Sequence, residues 1–72
     1  MWPFDRYPLA RRGIVNLKGG ETVFSGVLWR KRGGYLVLRN AQLLRARAES
    51  VPMDGEVLVP LGNVEFVQLV GE

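Results

Sequence analysis

The sequence predicts an all-β domain of five short strands, the second sharply bent, preceded by an extended aromatic arm. Two observations carry this expectation. From residue 13 onward, short apolar runs alternate with glycine turns, the spacing of strands joined by tight connections. The longest of the early runs, residues 22–30, holds Gly26 at its centre. A mid-strand glycine weakens a flat strand and suits one that must bend sharply.

Residues 1–12 form the arm. Trp2, Phe4 and Tyr7 sit among Pro3 and Pro8, with Arg11 and Arg12 behind them. Pro8 biases Tyr7 away from the helical region, so any helix here is short or absent. Three rings so close together are expected to dock, either over the open end of their own domain or on a partner. Strands are expected at 13–17, 22–30, 35–45, 56–60 and 63–70, giving a β domain over 13–72. Lys18-Gly19-Gly20-Glu21 reads as a hairpin turn, because its glycines accept positive φ. Phe24, Gly26 and Leu28 share one face of the second strand, and Val27 and Trp29 share the other. Arg30-Lys31-Arg32-Gly33-Gly34 reads as a basic turn and Asn40-Ala41 as a bulge in a long third strand. Residues 46–55 read as a loop, with Asp54-Gly55 as a turn, and Pro60 belongs at a strand end. Phe24, Leu28, Leu36, Leu38, Val57, Val64 and Phe66 are the expected core.

Seventy-two residues make one domain, near the lower limit for a core that folds without staples. The chain has neither cysteine nor histidine. Disulfides, thiolate metal sites, the usual general base and the commonest transition-metal ligand are therefore excluded. Asp54 and Glu56 resemble a paired-acid site only by proximity; an Asp-Gly turn with a solvated acid is the plainer reading. Lys18-Gly19-Gly20 lacks the spacing of a phosphate loop. No catalytic residue, metal site or cofactor is expected, and the chain reads as a non-enzyme. No apolar run approaches the roughly twenty residues that span a bilayer, and the N-terminus lacks a signal-like apolar core, so a soluble, unexported protein with no membrane partner is expected.

Charge is unevenly placed. All ten Lys and Arg lie within residues 1–47, opposed there by Asp5 and Glu21 alone, whereas 48–72 carry five carboxylates and no base. Such asymmetry suits solvated faces, a basic surface meeting an acidic neighbour, or nucleic acid. Apolar residues on both faces of several strands point to an oligomer, since each such side chain moved into an interface contributes roughly 1.5–3 kcal/mol.

The glycine-centred second strand, the Leu36-Val37-Leu38-Arg39-Asn40-Ala41 third strand and the Gly62-Asn63 turn together resemble the Sm/Lsm (Hfq-like) family over about residues 13–70. The resemblance implies a five-stranded, strongly bent SH3-like small barrel whose fourth strand pairs with the fifth strand of a neighbour, giving a homo-oligomeric ring of roughly five to seven subunits. It also implies an RNA pocket built from the loop after the second strand and the last turn. There this chain departs from the family: Arg30, Lys31 and Arg32 replace the acidic position, Tyr35 takes the Asn position, and Leu61 stands where Arg precedes Gly62. Asn63 survives. Arg30, Lys31 and Arg32 are suited to phosphates and Tyr35 to a stacked base. Gly26 to Gly34 and Pro52 to Val57 also look similar to short proteins of tailed actinobacterial phages. The first functional expectation is thus a structural or adaptor subunit of a larger assembly, most plausibly a phage virion. Trp2, Phe4, Tyr7, Val27 and Trp29 would then meet other protein subunits, in the virion or the cytoplasm of an infected cell. The alternative is a cytoplasmic Lsm-type protein for single-stranded RNA.

Overall fold

The structure is a computed structural model and describes residues 10–70. Six strands follow one another: β1 (Arg11–Leu17), β2 (Val23–Arg32), β3 (Tyr35–Arg45), β4 (Ala48–Pro52), β5 (Glu56–Pro60) and β6 (Val64–Leu69). A short 3-10 turn, Leu61–Asn63, links the last two. Every pairing is antiparallel, in the order β4-β3-β2-β1-β6, with β5 on the other half of β3's free edge.

Two boundaries differ from the sequence expectation. β1 begins at Arg11 rather than 13, so Arg11 and Arg12 belong to the sheet, opposite Leu28 and Val27. The expected loop at 46–55 is largely strand: β4 pairs Pro52 with Gln42 and Val51 with Leu43. The penultimate strand is therefore split in two, β4 and β5, interrupted where the Met53 amide donates to the Ala41 carbonyl at 2.9 Å and Gly55 takes a φ of 70°. The two alanines, Arg47, Glu49 and Ser50 of 46–50 disguise the first half, because it alternates little between polar and apolar residues.

The bend lies where β2 meets β3. Ser25 opposes Gln42 and Val27 opposes Arg39, so Gly26 alone faces the pair Asn40-Ala41. This is the expected bulge, and Asn40 occupies the left-handed region at φ 51°. Asparagine tolerates that conformation, whereas a β-branched residue does not. Asn40→Gly is expected to change stability by less than about 0.5 kcal/mol and Asn40→Val to cost about 1–2 kcal/mol, read from denaturation midpoints at one protein concentration.

Val15, Leu28, Leu36, Leu38, Ala41, Val59 and Val64 form the buried core, with Phe24, Val57 and Val67 packed against it. Phe66, expected in the core, lies on the opposite face and is 47% exposed. The reason is a bulge: Leu17 opposes Val64 but Asn16 opposes Phe66, so Glu65 is an extra residue and the alternation inverts after it. Val67, opposite the buried Val15, takes the inward place instead.

Candidate nucleic-acid interface

Cross-strand register decides which candidate residues share a surface, because directly opposed residues project from the same face. Arg32, Tyr35 and Pro60 form one row across β2, β3 and β5. The next row, Lys31–Leu36–Val59, faces the core, where Leu36 and Val59 are buried. Arg30–Val37–Leu58 projects outward again, with Arg30 and Leu58 exposed and Val37 between them fully buried. Trp29 is bulged between Leu28, opposite Leu38, and Arg30, opposite Val37. Beyond it, Arg12, Val27, Arg39 and Glu56 make a further outward row across four strands.

The basic segment is consequently not a loop. β2 runs to Arg32, and only Gly33-Gly34 turn, with Gly33 at φ 60°. Strand alternation then sends Arg30 and Arg32 outward and turns Lys31, which is half-buried, toward the core side. The three cations do not form one patch; two of them do.

The turn after β5 ties this region to the rest of the barrel end. The Leu61 amide donates to the Gly34 carbonyl at 2.8 Å, and the Lys18 amide donates to the Asn63 carbonyl at 2.8 Å. Leu61–Asn63 therefore spans from the β2–β3 turn to the β1–β2 turn. Asn63 and Tyr35 are both exposed at this end, Tyr35 by 44%. The structure thus brings Arg32, Tyr35 and the Gly62-Asn63 turn to one end of the barrel, with Arg30 one outward row behind.

Trp29 lies on the outer face with a defined partner. The Arg39 guanidinium sits 4.0 Å from the centre of the indole ring. Arg39 is held in turn by Glu56, Nη2 and Nε both 3.2 Å from Oε2. This half-exposed ion pair contributes little stability, but it fixes the guanidinium over the ring. Sequence reading missed Arg39 as the neighbour of Trp29. The even spacing Tyr35, Val37, Arg39 was the available signal for Arg39's face. The bulge at Trp29 left no signal. Val27, expected as an exposed apolar contact, is half-buried between Arg12 and Arg39. Trp2, Phe4 and Tyr7 lie outside the described residues.

Asp54 and Glu56 do not form an acid pair: Glu56 is committed to Arg39, and Asp54 sits exposed in the turn ahead of it. Among the described residues no group of three or more metal-ligating side chains comes together.

Comparison with solved structures identifies the architecture. The Sm protein SmAP1 of P. aerophilum, solved as a heptamer, superposes with a TM-score of 0.74 at 20% identity, over 89% of this chain and 84% of that one. A heptameric archaeal Sm protein gives a TM-score of 0.72 at 20% identity, over 88% and 90% of the two chains. The chain therefore has the Sm-like small-barrel fold that the sequence resemblance implied. No family model matches the sequence, and no curated protein matches it.

Proposed function

We propose that the protein is a ring-forming Sm-like subunit that binds single-stranded RNA, without catalysis, at the barrel end carrying Arg32, Tyr35 and the Gly62-Asn63 turn. The observation that carries this reading is the hydrogen bond from Leu61 to Gly34, which draws the last turn against the turn that presents Arg32 and Tyr35. A cation for phosphate and an aromatic ring for a base then stand in one cross-strand row. The acidic and asparagine positions that the family uses to grip a base are absent here. Phosphate contact and stacking remain, and both tolerate any base. The protein should hold single strands with little sequence preference.

Edge chemistry supports the ring. Among the described residues β5 pairs only with β3 and β6 only with β1, so there each leaves one edge open, and the three-residue turn between them does not close the gap. Leu58 on β5 and Phe66 on β6 are each 47% exposed. An open strand edge flanked by large apolar side chains is an invitation to pairing, and a second copy satisfies it in a closed, symmetric way. The two solved neighbours are heptamers, which agrees with this reading. The placement in a phage virion has no counterpart among them: both are archaeal Sm proteins. The comparisons therefore favour the RNA-binding alternative over the virion subunit.

The test is a titration with oligo-U and oligo-A at several salt concentrations. Submicromolar affinity at physiological salt is expected for both. The joint Arg30→Ala, Arg32→Ala variant should flatten the slope of log affinity against log salt by about 1.4, two contacts at roughly 0.7 each for single strands. No binding at physiological salt, or binding that ignores both arginines, would overturn the reading.

A further inference from the structure

Trp29 is not accounted for by the barrel-end site. It is a bulged residue with no cross-strand partner, 38% exposed, on the outer face of the sheet. Its ring carries Arg39, and the outward rows on either side of it contribute Arg12 and Arg30. Glu56 is the one carboxylate in those rows, and it is engaged with Arg39. Further along the same face stand Arg32 and Tyr35. From Arg39 to Tyr35 is four residues of β3, about 13 Å at strand rise, so the two aromatic rings are separate platforms on one basic face. On β3 the same face carries Val37, which is fully buried, so its open cationic and aromatic residues run along β2 through Trp29, Arg30 and Arg32. A polyanion with flat bases matches them in charge and in shape.

We propose that Trp29 is a second base-stacking platform, and that the exposed residues of β2 from Arg32, beside Tyr35, past Arg30 to Trp29 are a track for single-stranded nucleic acid. This rests on the RNA-binding reading above and extends it from the barrel end onto the sheet. In the complex a nucleobase stacks on the exposed indole while Arg12 and Arg30 contact the phosphates on either side of it. Arg39 braces the ring. The bulge in β2 supplies the geometry, because it inverts the alternation after Trp29 and so turns Arg30 to the same outer face as the indole.

The experiment uses the full chain with Trp2→Phe, which leaves Trp29 as the sole indole. Oligo-A and oligo-U titrations are followed by tryptophan fluorescence and, independently, by anisotropy of a labelled oligonucleotide. Saturable quenching of Trp29 is expected. Trp29→Ala should weaken binding about 5- to 100-fold, as expected for one stacked base, whereas Trp29→Tyr, which keeps a ring, should stay within about threefold. Thermal melting of each variant reports folding; should the alanine variant melt early, the fluorescence and the tyrosine variant decide. Binding that persists without quenching, and is indifferent to Trp29→Ala but sensitive to Arg30 and Arg32, overturns the track and leaves the barrel-end site standing. Fluorescence that changes on subunit assembly but not on adding oligonucleotide assigns Trp29 to a protein contact and also overturns it. No binding by the parent overturns both readings.

Discussion

Gly26→Val is expected to destabilise the protein by about 3 kcal/mol. A Cβ at Gly26 would lie 3.0 Å from the Ala41 Cα and 3.0 Å from the Arg39 carbonyl oxygen. Both are backbone atoms, so no side chain can swing away to relieve the contact. The strands would have to separate at the point where Gly26 faces two residues of β3, undoing the bend that lets the sheet close. The outcome is read as a shift in the denaturation midpoint at fixed protein concentration. A variant that melts with the parent would mean that β2 and β3 do not cross as described. Gly13 is a gentler case: its Cβ would meet the Gln68 carbonyl oxygen at 3.1 Å but otherwise only side-chain methyls.

In the proposed ring, Phe66→Lys and Leu58→Lys are expected to leave a folded monomer in place of the assembly. Each side chain stands half-exposed on a strand with an open edge, and neither belongs to the barrel core. Burying either in an interface contributes roughly 1.5–3 kcal/mol. Replacing it with lysine loses that term and sets a charge against the neighbouring strand, a device natural sheets use to prevent edge pairing. The loss recurs at every interface of a ring, so the assembly should fail at micromolar concentration even though one subunit hardly changes. Sedimentation at several concentrations checks this, with circular dichroism confirming that the barrel persists. An unchanged sedimentation coefficient would place the interface elsewhere.

The fold was legible because its defining element is local. Gly26 in an apolar run, glycine turns at 18–21 and 33–34, and Asn40-Ala41 as a bulge are each visible within a few residues, and the structure keeps all of them. What sequence reading missed depends on bulges whose positions only the partner strand defines. Phe66 was expected inward by simple alternation, and the extra residue at Glu65 turned it out. Trp29 was expected on the outer face beside Val27, and there it lies; the bulge that no local pattern announces instead turned Arg30 and Arg32 outward after it. The split of the penultimate strand was hidden because 48–52 is exposed on most of its residues and so shows no apolar alternation. The candidate site was legible in composition and not in geometry. Arg30, Lys31 and Arg32 read as one basic turn, yet β2 continues through them and separates Lys31 from the other two.

Function follows from where two open edges and one basic aromatic face sit on a single small barrel. In the proposed reading the edges pair with copies of the same chain, and the face takes a flexible polyanion. The claim that joins them is that the ring is the RNA-binding species. Native mass spectrometry of the full chain with one equivalent of oligo-U per assembly tests it most directly. The account predicts a single closed oligomer of roughly five to seven subunits that gains the mass of one oligonucleotide. A monomer that binds no oligonucleotide, or a ring that remains unliganded at physiological salt, would contradict it.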